Sequence, residues 1–197
     1  MSTTQIILLA LGAVLLFWVV GAYNRMVRMR NEIGNAFAQI DVQLKRRHDL
    51  IPNLVEVARK YLEHERETLE RVTAARAQVI AATDLVKSRP NQAGPIQSLG
   101  MAEGVLANAM AQFRAVVEAY PELKADESLR DLNEELIHTE NKVAFSRQLF
   151  NDVTLDYNNA AHQFPTNLIA GVFGFKTAAM LQSTQTEAER APIKVKL

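Results

Sequence analysis

The sequence contains no cysteine. Without a thiol the chain has no disulfide framework, no thiolate metal site and no attachment point for a lipoprotein anchor. Basic and acidic side chains are equal in number, 22 of each, so no net charge draws the chain to nucleic acid. These absences suit a cytoplasmic protein that does not bind nucleic acid.

Common catalytic motifs are also missing. The sequence has no Gly-x-x-x-x-Gly-Lys phosphate loop and no Gly-x-Ser-x-Gly nucleophile turn. A His-Glu-x-x-His zinc helix is absent as well, because His64-Glu65 is not followed by a second histidine at the required position. We therefore predict no catalytic residue, no cofactor and no bound metal.

A long apolar run near the N-terminus is the most informative feature that is present. Residues 6–23 carry no charge, and as a helix they would extend about 27 Å, close to the thickness of a bilayer core. Trp18 and Tyr23 stand near one end, where aromatic rings favour the membrane interface. We predict a single transmembrane helix. Three arginines follow it at once and form a candidate membrane-surface collar: Arg25, Arg28 and Arg30.

The position of these arginines predicts the orientation of the span. Lys and Arg are retained on the cytoplasmic side, so the N-terminus is expected outside and the rest of the chain in the cytoplasm. The alternative is a cleaved signal peptide, because Val20-Gly21-Ala22 resembles a cleavage site. That alternative lacks the positive segment that should precede the apolar run.

Apolar periodicity predicts an all-α fold in which the transmembrane helix continues into an antiparallel long-helix bundle of the four-helix type. No proline occurs before Pro52, and Asp49 with Pro52 indicates the start of a second helix, ending near Lys87. A third helix is expected to stop before Pro121. The fourth begins after a cap at Asp126 and carries a seam with spacings of three and four: Leu129, Leu132, Leu136, Thr139, Val143, Ser146, Phe150, Val153, Tyr157, Ala160 and Phe164.

These boundaries divide the chain into five parts. We predict a short extracytoplasmic N-terminus (1–5), the transmembrane helix (6–23), a cytoplasmic helical bundle (24–164), an apolar C-terminal segment (165–181) and a flexible tail (182–197). The apolar segment is too short to span a membrane. It either packs on the end of the bundle or forms an interface with membrane or another subunit, through Leu168, Ile169, Val172, Phe173 and Phe175.

Two polar groups are candidates for a partner surface or for fixing the register of the helices. The first, the basic corner, consists of Lys45, Arg46, Arg47, His48 and Asp49. The second, the polar stripe, shares one face of the fourth helix and consists of Glu140, Arg147, Asn151, Thr154 and Asn158. We expect ion pairs and hydrogen bonds between helices from these residues, with a docking surface as the alternative.

One pair has the spacing of a metal site. Glu135 and His138 match the Glu-x-x-His pattern of di-metal helical bundles, in which two such motifs and two further glutamates meet. The other histidines of the chain lack a glutamate three residues before them. A metal-dependent enzyme is therefore the weakest of the hypotheses.

Several segments together are typical of one family. Residues 39–55, QIDVQLKRRHDLIPNLV, and 132–151, LNEELIHTENKVAFSRQLFN, are the longest, and Tyr23-Asn24, Arg30-Asn31, Tyr157-Asn158, Phe164-Pro165 and Gly174-Phe175 are shorter. Over residues 23–176 the chain resembles the LemA family. Phe37 and Ser146 depart from it, standing where tryptophan and alanine are usual.

The resemblance implies a bacterial inner-membrane protein with a single N-terminal span and a cytoplasmic antiparallel bundle. It implies no enzyme, catalytic residue or cofactor, and family members tend to be encoded near other membrane proteins. Our leading hypothesis is a membrane-anchored scaffold or adaptor that forms a homo-oligomer or binds other membrane proteins. The alternative is lipid binding or membrane shaping through the collar and the apolar segment.

Overall fold

The computed structural model describes residues 2–62 and 64–181 and is all-α over that part of the chain, as predicted. The predicted flexible tail lies outside the described residues. The described helices are α1 (Thr3–Arg59), α2 (Arg66–Ser88), α3 (Ala93–Ala119), α4 (Pro121–Ala125), α5 (Glu127–His162) and α6 (Thr166–Phe173).

The first helix passes without a break from the apolar run into the bundle. α1 has 57 residues and is about 85 Å long. Its N-terminal third is apolar and exposed, and it is long and apolar enough to cross a membrane. From Met26 onward a stripe of side chains is buried against the other helices. One helix therefore contains both a segment that fits a membrane anchor and the first helix of the bundle.

The predicted boundary at Asp49 and Pro52 is wrong, because α1 continues through Pro52 to Arg59. Proline has no N–H to donate to the carbonyl four residues earlier, which is that of His48. This carbonyl oxygen instead accepts a hydrogen bond from Arg76 Nε of α2 at 2.6 Å. A side chain from the neighbouring helix therefore replaces the missing backbone donor.

The remaining long helices run in alternating directions beside the C-terminal half of α1. α5 packs along α1, α3 packs along α2, and α2 in turn contacts α1. The turn between α2 and α3 reaches α1 at Gly34, where an added Cβ would lie 3.9 Å from the Pro90 ring. The four-helix part of the bundle therefore begins about 16 Å beyond Tyr23 along α1.

The predictions for the third and fourth helices are largely confirmed. α3 ends at Ala119, before Pro121, and Asp126 caps α5 by accepting a hydrogen bond from the Leu129 N–H at 3.0 Å. The seam is buried or partly buried from Leu129 to Ala160. Its last predicted member, Phe164, is wrong: α5 ends at His162, because the residue before a proline is disfavoured in a helix. The short helix α4 was not predicted.

The chain after α5 turns back along the bundle. α6 packs against α5 and α1 and ends at Phe173. Gly174 caps it, with a φ of 70°, a left-handed conformation that glycine adopts without strain. Residues 175–181 then continue without helical structure, and Ala178 and Leu181 are buried in the core. Residues 175–181, called the C-terminal segment below, lie against α5 and run antiparallel to it.

Candidate functional site

A buried ion pair joins the basic corner to α3. Arg47 of α1 donates from Nη1 to Glu103 Oε2 at 2.6 Å, and the two side chains are only 6% and 4% exposed. Charges so far from water are costly unless they are paired. Because Glu103 and Arg47 lie on different helices, the pair fixes the position of α3 relative to α1.

Further charges of both signs surround this pair. Arg47 Nη2 lies 3.6 Å from Glu140 Oε1 of α5, and Arg147 Nη2 lies 3.8 Å from Glu103 Oε2. Arg114 of α3 reaches Glu140 at 3.3 Å. Burial lowers the pKa of Arg147, and the neighbouring Glu103 carboxylate opposes this effect. Glu103 Oε1 is buried and makes no hydrogen bond to the described residues, so the cluster holds an acceptor that this part of the chain leaves unsatisfied.

Sequence reasoning missed Glu103, the acid at the centre of this cluster. Glu103 lies on the buried side of α3, between Leu99 and Leu106 on the apolar stripe. A single carboxylate on an otherwise apolar stripe requires a partner, since an unpaired buried charge is strongly unfavourable. The position of Glu103 on the apolar stripe was the available sequence signal, because it predicts that a basic side chain is buried against it.

The five residues of the basic corner do not act together. Arg47 and His48 are buried, whereas Lys45, Arg46 and Asp49 are exposed on other sides of α1. Arg46 forms a salt bridge with Glu135 of α5 at the surface. Burial lowers the pKa of His48, so the imidazole is favoured in its neutral form.

A groove separates α3 from α5. One end of it is lined by the charge cluster, which consists of Arg47, Glu103, Glu140 and Arg147. Helices α3 and α5 are not packed closely together, and two adjoining cavities of about 280 and 270 Å³ lie between them and share Arg114. The groove follows α3 from Glu103 to Glu118, about 22 Å. Its walls contain the small side chains Ala107, Ala111 and Ala144, which leave the space open.

The C-terminal half of the polar stripe has a different use. Asn151 donates from Nδ2 to the Leu181 carbonyl at 2.7 Å and accepts from the Leu181 N–H at 2.9 Å. Asn158 makes the same pair of bonds with Ala178, both at 2.9 Å. Tyr157 adds a hydrogen bond to the Lys176 carbonyl at 2.9 Å. These side chains form an asparagine clamp that holds the main chain of the C-terminal segment.

The spacing of the clamp fits an extended chain. Asn151 and Asn158 are seven residues apart on α5, about 10.5 Å along the helix axis. Ala178 and Leu181 are three residues apart, about 10 Å in an extended chain. The two repeats match, so each asparagine meets one residue of the segment. Thr154, between them on the stripe, is fully buried.

The collar and the apolar segment meet beside Tyr23. The Tyr23 ring lies 4.9 Å from the Phe173 ring and 5.6 Å from that of Phe175, measured between centroids. The Arg30 guanidinium lies over the Phe175 ring, 5.6 Å from its centroid. Arg25 and Arg28 are exposed. The predicted patch is divided: Ile169 is buried and Phe175 partly buried, whereas Leu168, Val172 and Phe173 are exposed.

The Glu135 and His138 pair does not gather further ligands among residues 2–62 and 64–181. No group of three or more histidine, cysteine or acidic side chains in that part of the chain is arranged to hold a metal ion. Glu135 binds Arg46 instead, and the nearby cavity is an open surface on α5 alone.

Comparison with known proteins supports the family suggested by the motifs. The model of the LemA family matches residues 36–197. The chain is 25% identical over 171 residues to Protein LemA of Metamycoplasma hominis, which covers 87% of this chain and 74% of that protein. It is 25% identical over 175 residues to magnetosome protein MamQ 2 of Paramagnetospirillum magneticum, and 24% identical over 169 residues to magnetosome protein MamQ of Magnetospirillum gryphiswaldense.

The two magnetosome proteins are longer than the part that aligns. The alignments cover 81% and 78% of this chain but 64% and 62% of those proteins, less than two thirds of their length. The family match, by contrast, includes most of the bundle and the whole C-terminal segment. The chain belongs to the LemA family.

Proposed function

We propose that this protein is a non-catalytic membrane scaffold, and that its bundle associates with a second copy of itself through the groove between α3 and α5. The groove is the observation that carries the proposal. A closed bundle would pack α3 on α5, yet the two helices are not packed together and the small side chains between them leave the space open. Buried charges of both signs at the base of the groove limit which surface can fit there.

The rim of the groove supplies apolar contact area. Ile137, Ala144 and Leu155 are seven and eleven residues apart, spacings that keep them on one side of α5. Ala144 lines the groove, Ile137 lies on α5 between other lining residues, and Leu155 lies about 12 Å beyond Arg147, the last of them. Ile137 and Leu155 are nearly half exposed. Phe145, also on α5, is largely exposed. A groove with both an apolar rim and balanced charges is suited to a two-fold contact between identical chains.

The long first helix sets where the contact would occur. Arg47 is 24 residues beyond Tyr23 on the same helix, about 36 Å from the end of the apolar run. For the orientation we propose the N-terminus outside and the bundle in the cytoplasm at the bacterial inner membrane, because the arginines follow the span. Two copies anchored in one membrane would face each other at the same height.

Thiol labelling of a chain without native cysteine tests the occupant of the groove. Ala111→Cys places a thiol in the groove. Asn108→Cys is the control, because Asn108 is exposed on the same helix three residues away but lies outside the residues that line the groove. Full-length protein is reconstituted in vesicles and treated with a bulky maleimide. We expect Ala111→Cys to react slowly at high protein density and rapidly at one chain per vesicle, and Asn108→Cys to react rapidly in both.

Other results would identify a different partner or none. Protection of Ala111→Cys in native membranes, but not in vesicles of the purified protein, would replace the second copy with another membrane protein. Rapid labelling of both thiols under every condition would contradict the proposal.

A further inference from the structure

Helix α6 is apolar after its first two residues, Thr166 and Asn167. Its sequence, TNLIAGVF, contains no charged residue, and no charge occurs anywhere in residues 163–175. Large apolar side chains on a helix are normally covered by protein or by membrane. We therefore ask what covers the apolar side chains of α6.

Only one side of α6 is covered by the bundle. Ile169 and Ala170 are buried against it. Leu168 and Val172, four residues apart on the opposite side, are 57% and 80% exposed, and Phe173 is 51% exposed. Phe164, just before the helix, is also largely exposed. An apolar surface of this kind usually has a partner.

Helix α6 lies beside α1 at the level where the apolar run of residues 6–23 ends. The nearest apolar surroundings are therefore those of a membrane crossed by that run. Tyr23 is the last residue of the apolar run, and its ring contacts Phe173 and Phe175. Arg30, which lies over the Phe175 ring, is about 10 Å further along α1. A bilayer crossed by residues 6–23 would therefore have its surface at the level of α6.

We infer that α6 is a second membrane contact, lying in the bilayer interface beside the transmembrane helix, with Leu168, Val172 and Phe173 among the lipid chains. The collar supplies positive charge at the same height, which favours anionic headgroups. The covered side of α6 attaches it to α1 and α5. Two contacts of this kind hold the bundle at a fixed angle to the membrane, whereas a single transmembrane helix can tilt.

Spin labels report which phase surrounds α6. Single-cysteine variants Val172→Cys and Leu168→Cys carry a nitroxide in full-length protein, reconstituted in vesicles of phosphatidylcholine and phosphatidylglycerol. Met101→Cys is the control, because Met101 is exposed on α3 at the height of Glu103, far from the collar. Relaxation of each label is measured with oxygen, which partitions into lipid, and with a nickel chelate, which stays in water.

We expect the labels at 172 and 168 to show an oxygen-to-nickel accessibility ratio several-fold above that at 101. A ratio equal to that at 101 would place α6 in water and overturn the inference. Low accessibility to both reagents, with dipolar broadening between labels, would show that a second copy covers α6, which also overturns it. Adding Ala111→Trp to the labelled chain should leave these ratios unchanged, so this test is independent of the groove.

Discussion

The two halves of the polar stripe on α5 show how one face of one helix is used in two ways. In the C-terminal half, Asn151 and Asn158 bind the main chain of residues that follow in the same polypeptide. In the N-terminal half, Glu140 and Arg147 meet Arg47 and Glu103, but the space above them stays open as the groove. Among residues 2–62 and 64–181, one half is covered by the chain itself, and the other has buried charges beside an open groove.

This difference indicates which half of the polar stripe stabilises the fold and which half is available to bind a partner. In the clamp each asparagine uses one donor and one acceptor on the main chain of the same polypeptide, so these bonds serve the fold. The charge cluster leaves Glu103 Oε1 without a hydrogen bond among the described residues. Buried charges are poor at stabilising a fold compared with apolar side chains, so their presence favours a role in specificity.

Removing the buried carboxylate should have the largest effect on stability. Glu103→Ala leaves Arg47 buried without its strongest acceptor and is expected to lower the free energy of unfolding by about 3–5 kcal/mol. The matched control is Glu135→Ala, which removes a surface salt bridge and should cost less than about 1 kcal/mol. Denaturant titration of both variants measures the two losses. Equal small losses would contradict the assignment of Glu103 as a buried counter-charge.

Breaking the clamp should have an intermediate effect. Asn158→Ala removes two hydrogen bonds to Ala178 and is expected to lower the free energy of unfolding by about 2 kcal/mol. It should also increase amide hydrogen exchange in residues 176–181. Asn159→Ala, at the exposed neighbouring position, is the control and should change neither quantity. Unaltered exchange in Asn158→Ala would mean that the segment does not depend on the clamp.

The smallest expected effect is a pH dependence from His48, next to Arg47. Burial lowers the pKa of His48 below its ordinary value of 6.5, and the nearby Arg47 and Arg76 act in the same direction. The unfolded chain therefore binds a proton that the folded chain does not, so stability should fall as the pH drops below 6.5. His48→Gln should flatten the curve of unfolding free energy between about pH 7 and 5. His138→Gln, at an exposed position, should leave its slope unchanged.

Local patterns predicted much of the fold. The seam of α5, the cap at Asp126 and the continuity of α1 with the span all depend on residues close in sequence, and the structure agrees with them. The boundary at Pro52 was wrong because the compensating donor, Arg76, lies on another helix, 28 residues beyond the His48 carbonyl that it binds. No local signal reveals such a replacement.

The candidate surfaces were harder to predict for the same reason. Periodicity placed Glu140, Arg147, Asn151 and Asn158 on one face, but it did not show that different partners meet the two halves. The partner of the asparagines is main chain, which has no sequence signature. Glu103 had a signal, its position on an apolar stripe, yet identifying Arg47 as its partner requires the tertiary arrangement.

The native mass of the full-length protein in a mild detergent tests the scaffold proposal most directly. We expect a defined homo-oligomer at micromolar concentration. Ala111→Trp, which fills the groove, should reduce it to monomer, and Asn108→Trp, at an exposed position outside the groove lining, should leave it intact. A wild-type protein that stays monomeric across the micromolar range, with no co-purifying membrane protein, would contradict the proposal.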